Sequence, residues 1–461
     1  MTTAKPLKQV HLAAHFPGVN NTTVWSDPAA GSHIDFDSFR HLARAAERGR
    51  FDFFFLAEGL RLREQGGTIY DLDVVGRPDT LTVLAALAAV TTHLGLAGTI
   101  NSTFNEPYEV ARQFASLDHL SEGRAAWNVV TSWDTFTGEN FRRGGYLPQS
   151  QRYERAITFL ETTQTLWDSW REEDLAPDAS RGEFLTRPDA GAFAVHNRQF
   201  DIEGRFNVPR SPQGRPVILQ AGDSEEGREF AAAQADAIFS RHSQYDEGRV
   251  FYADVKGRLA RYGRSHEDLL ILPAATFVVA DTDTEAADLA HEVRLAQVSP
   301  ATAIAFLEQL WNVDLSDHDP DGPLPAFDPV ETEVDGLHSQ GRASVRMHSE
   351  RVSTARDWRA RAEAERLTTR ELIIEVTGRQ SFVGSPLTVA HKLNAFVQDD
   401  AADGFVLVPH LTPGGLDPFV DQVVPLLQEL GVHRSEYEGS TLRHHLGLAH
   451  PDRPVARKVS A

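Results

Sequence analysis

Short runs of β-branched and aromatic residues alternate along the chain with stretches in which apolar residues return every three or four positions. Eight runs read as buried strands: Val10–Ala14, Phe53–Ala57, Leu94–Ile100, Ala126–Val130, Val217–Gln220, Ala237–Ser240, Leu270–Val279 and Phe405–Val408. Near-continuous apolar runs suit strands covered on both faces, and their alternation with amphipathic segments marks βα units on a parallel sheet. Eight such units predict an α/β fold of the (β/α)8 TIM-barrel type. Asp37 is placed to cap a helix that runs to Arg48 and ends at Gly49. Two connections are too long for a simple βα loop. The barrel therefore spans 1–435, with insertions at about 131–216 and 281–403, after strands four and seven, and a tail at 436–461. The first insertion carries a helical pattern from Gln151 to Trp170, in which Tyr153, Ala156, Ile157, Leu160 and Trp167 form one apolar stripe. The second contains Asp314–Pro329, rich in Asp, Pro and Gly, which reads as an extended lid or wrap. A last helical pattern, Phe419–Leu430, is interrupted at Pro425, and the polar tail reads as an interaction arm or a frayed end.

Composition narrows the function. The 461 residues include 66 acidic and 45 basic side chains, a formal charge of −21. Nucleic acid and anionic membranes are disfavoured partners, because both are bound by clustered Lys and Arg. With 41 % hydrophobic and 24 % charged residues the chain has an ordinary globular balance. There is no cysteine, hence no disulfide, no zinc–thiolate site and no thiol nucleophile. No signal-like apolar segment follows Met1, and the longest apolar stretch, near Leu84–Val90, is too short for a bilayer. A cytoplasmic protein is expected.

Barrel enzymes build their sites at the C-terminal ends of the strands. There the chain places His15, Glu58, Thr99, Asn101, Asn128, Thr131, Ser132, Trp133, Gln220, Gly222, His242 and His410. A metal-dependent hydrolase fits poorly. His11 and His15 are four apart, roughly 13 Å along a strand, too far to share one ion. A glycosidase needs two carboxylates on strand ends; beyond Glu58 only Asp134 and Asp223 lie near. Residues 222–228 (GDSEEGR) follow strand five and open a helix, where free N–H groups and the Ser224 hydroxyl suit an anion. Plain N-capping by Ser224, with Asp223 and Glu226 resembling a capping box, explains the same residues. No G-x-G-x-x-G or Walker A loop is present.

The run from Ser116 to Ser132 (SLDHLSEGRAAWNVVTS) resembles the hallmark of the nitrilotriacetate monooxygenase family, within the bacterial-luciferase-like flavin monooxygenases. Further matches are Glu106–Tyr108 (EPY), Gln151–Ala156 (QRYERA), Leu166–Trp170 (LWDSW), Pro209–Pro216 (PRSPQGRP), Gln220–Gly222, Ser224–Glu225, Gly227–Arg228, Asp403–Phe405 (DGF) and Pro413–Asp417 (PGGLD). The resemblance implies a barrel with insertions. It implies reduced FMN as co-substrate, supplied by a separate NAD(P)H:flavin reductase, and O2, which forms a C4a-peroxyflavin or hydroperoxyflavin that oxygenates a small organic substrate, with attack at C–N, C–S or C–H positions. Relatives of this kind form homodimers or homotetramers. A deazaflavin-dependent oxidoreductase on the same barrel, or a non-catalytic flavin-binding relative, are the alternatives.

The resemblance also assigns residues. The acidic flavin contact after strand two is Glu58, where Asp is usual, and the strand-three Thr is Thr99. Tyr153 matches a helix Tyr preceded by a His in the family, and that position here is Gln149. The phosphate-side Ser is Ser224, beside Gly222, and Asn128 points inward from strand four. Phe16, Phe104 and Trp133 are candidates for a dry wall around the reacting centre. His15, His242 and His410 are candidates for steadying reacting oxygen or binding substrate, with His15, Trp133 and His410 assigned as catalytic. His119 reads as structural. Arg61, Arg63 and Arg77 read as a solvated surface, or alternatively as an anion site.

Overall fold

The computed structural model describes residues 7–18, 22–62, 64–65, 68–69, 77–132, 135–138, 140–141, 149–330, 350–378 and 380–451. Eight parallel strands run in chain order: β1 (His11–Phe16), β2 (Phe53–Leu56), β3 (Gly95–Asn101), β4 (Ala125–Val130), β5 (Val217–Gln220), β6 (Ala237–Ser240), β7 (Leu270–Val279) and β8 (Gly404–Val408). Each pairs with its chain neighbour, β8 pairs with β1, and β6 with β7, so the sheet is a closed barrel. Each of the eight predicted strands has its counterpart within two residues.

Alternation of side chains sorts the apolar residues into two cores. Leu12, Ala14, Phe16, Phe54 and Leu56 point outward and pack under the surrounding helices. Ala13, Phe53, Phe55, Ala97, Ala126, Val217, Leu219 and Val406 fill the interior. Helix α1 (Phe36–Arg48) packs over β1, α2 (Thr80–Ala88) and α3 (Pro107–Leu120) over β3 and β4. The residue preceding α1 is Asp35, whose side chain makes no capping bond; Asp37, expected as the cap, sits in the first turn.

The first insertion holds α4 (Gln149–Trp167), three residues shorter at its end than the apolar stripe suggested, and two antiparallel hairpins, Leu175–Leu185 and Ala192–Arg205. The Trp167 indole donates to the Ala111 carbonyl at 2.9 Å, and Arg155 donates to the Ser102 and Asn105 carbonyls at 2.9 and 3.0 Å. These bonds fix α4 against α3 and the exit of β3. After β5 comes α5 (Glu225–Gln234) and after β6 comes α6 (Tyr245–Arg258). The second insertion adds helices Asp283–Gln297, Pro300–Trp311, Arg351–Glu365 and Thr369–Thr377 and a short strand, Phe382–Gly384, on the upper part of β7. Residues 314–330 wrap those helices: Leu315 joins their core, the Trp311 indole donates to the Phe327 carbonyl, and Thr369 bonds to Gly322. The last helical pattern is a π turn, Phe419–Val423, followed by an α-helix, Val424–Glu429. Pro425 has no N–H for the usual bond, so the turn before it widens.

The tail departs from expectation. Leu442, Leu446 and Leu448 are buried in the interior core and close the barrel's N-terminal end. Leu442 opens a one-turn helix, Leu442–His445, and Leu446 and Leu448 follow it into the same core.

Candidate active site

The interior parity of β1 carries His15 to the barrel mouth, two residues beyond Ala13. Its ring lies 5.2 Å from Phe55, which stacks on Phe239 across the barrel at 5.3 Å, so three rings floor the mouth. His15 Nδ1 lies 3.3 Å from the Phe55 carbonyl. A carbonyl only accepts, so Nδ1 carries the hydrogen and Nε2 is left as an acceptor. Burial, with the positive charge of Arg77 adding to it, lowers the His15 pKa to about 3. The imidazole is neutral at physiological pH.

Glu58 is held against the end of β3. One carboxylate oxygen accepts from the Asn101 backbone N–H at 3.1 Å and from Asn101 Nδ2 at 2.9 Å. Burial outweighs these donors and raises its pKa to about 7, with Asp79 adding in the same direction. Thr99 and Asn128 stand opposite each other in register on β3 and β4. Asn128 Nδ2 donates to Thr99 Oγ1 at 2.9 Å, and Asn128 Oδ1 is buried without a partner. An orphaned buried carbonyl usually awaits a ligand or water donor.

A second group gathers at the exit of β5. Ser224 caps α5, with Oγ accepting from the Gly227 N–H at 3.2 Å and donating to the Tyr153 hydroxyl at 3.4 Å. The cap is Ser224 with Gly227, not a box of Asp223 and Glu226. Gly222 and Gly227 allow this closeness: a Cβ on Gly222 would lie 2.6 Å from the Tyr153 oxygen, and one on Gly227 2.8 Å from it. Two of the acidic residues nearby are committed elsewhere. Asp223 turns to His242, Arg241 and Arg228 at 2.8, 2.8 and 3.3 Å, and Glu225 to Arg258 at 2.7 Å. The helix N-terminus with its two hydroxyls is thus left without an adjacent free negative charge from those two residues, a geometry suited to a phosphate.

The assigned residues therefore fall into a mouth group (His15, Glu58, Thr99, Asn128) and a rim group (Tyr153, Gly222, Ser224), joined by the adjacent strands β3, β4 and β5. Other expectations change. Phe16 stacks on Phe39 at 4.1 Å in the outer core, because its parity is opposite to that of His15, so it does not wall the mouth. His242 stacks on Phe251 at 4.5 Å beside a cleft of about 720 Å³ lined also by Arg241, Gln244 and Gln380. Phe104 is half-buried and stacks on Phe141 at 4.6 Å. His410 follows β8, its carbonyl accepts from the Val24 N–H, its Nδ1 is buried without a partner, and burial lowers its pKa. His119 bonds the Pro209 carbonyl at 2.9 Å, a structural role. Trp133, Asp134 and Arg63 lie outside the described residues, as does the side chain of Gln149, whose backbone opens α4. Arg77 is half-buried with its Nε enclosed, not fully solvated. Sequence reasoning left Asn101 without a partner and missed the Phe55–Phe239 floor; strand parity was the signal that pointed to the latter.

Among the described residues no group of three or more His, Cys, Asp or Glu could hold a metal ion, and no helix is long and apolar enough to cross a membrane. Residues 16–403 match the family described as luciferase-like monooxygenase. The chain is 38 % identical to the N-acetyl-S-(2-succino)cysteine monooxygenase of Bacillus subtilis, over 98 % of its own length and 99 % of that protein's. It is 39 % identical to nitrilotriacetate monooxygenase component A of Aminobacter aminovorans, over 94 % and 95 %. Its fold matches a riboflavin lyase solved with a modified FMN and riboflavin, at a TM-score of 0.77 and 29 % identity, over 96 % and 97 % of the two chains.

Proposed function

The chain belongs to the luciferase-like monooxygenase family, and from that premise we propose that it is the oxygenase of a two-component system, using reduced FMN and O2 to oxygenate a small organic substrate. The flavin comes from a separate NAD(P)H:flavin reductase, and the enzyme works in the cytoplasm as a homodimer or homotetramer. The first two relatives above carry a thioether and a tertiary amine in their names, so cleavage beside sulfur or nitrogen is the reaction favoured here. Bound reduced FMN supplies the two electrons with which one atom of O2 enters the substrate and the other leaves as water.

The observation that carries this reading is the meeting of Tyr153 OH, Ser224 Oγ and the α5 N-terminus over two glycines, next to a mouth with an unfilled acceptor. Ser224 and Tyr153 donate to the phosphate, with Gly222 leaving the space and Gln149 adding a donor from the start of α4. Thr99 and Asn128 receive the ring, the orphaned Asn128 Oδ1 accepting one of its N–H groups. Glu58, able to hold or release a proton near neutrality, faces the same ring. Neutral His15 offers Nε2 to a proton on the reacting groups, and His410 and Trp133 complete the substrate side. Phe55 and Phe239 keep water from the floor.

Anaerobic titration with reduced FMN tests the site. Ser224→Ala combined with Tyr153→Phe should weaken binding by about 1–3 kcal/mol through lost bonds to a charged group; unchanged affinity rejects this phosphate site. With O2 and a generic reductase, mass spectrometry of candidate amines and thioethers should show one added oxygen or a cleaved fragment. Peroxide without product across the panel would favour a non-catalytic flavin binder, and turnover only with a reduced deazaflavin would favour hydride transfer.

A further inference from the structure

We propose that Arg77 is the anchor for a carboxylate of an anionic substrate at the barrel mouth; this rests on the monooxygenase reading above and names its substrate class.

Arg77 lies over the exit of β1. Its guanidinium donates to the Pro17 carbonyl at 2.6 Å, and its stem crosses Gly18, where a Cβ would meet Nε at 3.2 Å and Cγ at 3.5 Å. Gly18 has a φ of +66°, so the backbone there favours glycine and leaves room for the arginine to lie flat. The interior face of the same strand ends in His15, and the Arg77 charge is felt there.

The side chain is half-buried with its Nε enclosed, and among the described residues that Nε has no hydrogen-bond partner. Burial pulls its pKa down to about 10, which leaves it charged at neutral pH, and no carboxylate among the described residues offsets the shift. Glu58 takes its hydrogen bonds from Asn101, and Asp79, two residues on from Arg77, accepts from Thr82 at the start of α2. Arg210 and Arg443 also leave Nε without a partner, but their other nitrogens meet carboxylates. Arg443 pairs with Asp236 at 3.0 Å, Arg210 with Asp168 at 3.1 Å, and Arg124 donates to four backbone carbonyls. A buried charge without a counter-ion is costly and is kept where a ligand completes it. The open edge of a guanidinium is a fork that matches a carboxylate. The chain needs such a local cation, since a net charge of −21 gives an anion no general attraction. Neutral His15 cannot supply one.

The test uses two acid probes, (methylthio)succinate and iminodiacetate, each against its methyl ester, titrated calorimetrically into the chain alone and into its reduced-FMN complex. At least one acid should bind about ten- to a hundredfold more tightly than its ester, and Arg77→Gln should erase the difference. Arg77→Lys, which keeps charge but loses the fork, should fall between, and guards against a folding defect in the first variant. Esters binding as well as acids, neither acid binding, or discrimination surviving in Arg77→Gln overturns the proposal. Reduced-FMN affinity is read separately in each protein: its loss in the wild type speaks against the flavin site, whereas its retention with lost acid discrimination isolates Arg77.

Discussion

Burial at the barrel mouth moves the protonation of Glu58 and His15 in opposite directions. Glu58 rises to about 7 because its carboxylate is desolvated more strongly than Asn101 compensates, while His15 falls to about 3 because its cation is desolvated and repelled by Arg77. Of the mouth group His15, Glu58, Thr99 and Asn128, Glu58 is the member whose pKa lies near neutrality, and its sign is set. Below pH 7 Glu58 is a neutral acid; above it, a carboxylate facing a phosphate-bearing ligand. Reduced-FMN affinity should fall as pH rises through about 7, and Glu58→Gln should flatten the curve, as read by anaerobic binding at pH 6, 7 and 8. A wild-type curve with no inflection there would remove Glu58 from the ring's surroundings. Neither protonation state is legible in the sequence. Glu58 is visible there as a strand-end acid, but its pKa depends on Asn101, 43 positions on, and on the depth of the mouth.

At the scale of elements, the motifs that identify the family are mostly frame. In the run Ser116–Ser132, Asp118 accepts from the Ala125 N–H at 2.9 Å and from Gln213 Nε2 at 2.7 Å. Asp168 of the LWDSW motif holds Arg210 and Arg215 of the PRSPQGRP motif, at 3.1 and 2.7 Å. The Gln213–Asp118 bond ties the first insertion to α3, and the Asp168 pairs hold the segment that follows α4, so together they set where α4 delivers Tyr153. The chemistry-bearing contact is smaller, a pair of glycines beneath one hydroxyl. On Gly227 a Cβ would lie 2.8 Å from the Gly222 carbonyl carbon and from the Tyr153 oxygen. Gly227→Ala should displace that hydroxyl and weaken reduced-FMN binding roughly tenfold, with the circular dichroism of the barrel retained. An unaffected affinity would mean that Tyr153 is not a phosphate donor.

The whole molecule is closed at its lower end by the tail. Asp52 accepts from the Leu12 N–H at 2.9 Å and from Arg434 at 2.6 Å, and Arg434 also donates to the His445 carbonyl at 2.7 Å. Leu442 is fully buried behind this network. Leu442→Ala should cost about 2–5 kcal/mol in chemical denaturation; a loss under about 0.5 kcal/mol would mean that the tail is a surface appendage. Acid should loosen the same molecule. His15 and His445 are lowered to about 3 and 4, and burial also lowers His33, His410 and His433. Unfolded, each takes a proton near ~6.5, so stability is full above that pH and drains as pH falls towards the folded values. Glu58 and Asp118, raised to about 7 and 6, act with the opposite sign but are fewer. The thermal midpoint should therefore drop between pH 6.5 and 4.5, and a flat midpoint would contradict this balance.

The order of eight apolar runs, with Val217–Gln220 and Leu270–Val279 found within the limits their sequence set, was determined by the chain itself, because strand and helix periodicities are local properties of neighbouring residues. The Ser224 cap and the Tyr153 stripe were local too. Three things needed the closed barrel: that His15 faces in while Phe16 faces out, that Leu442 and its companions plug the floor, and that the enclosed Arg77 Nε meets no partner among the described residues. Each depends on which distant segments come to surround a side chain, and burial, which decides both packing and charge, is a property of the enclosure rather than of the residue.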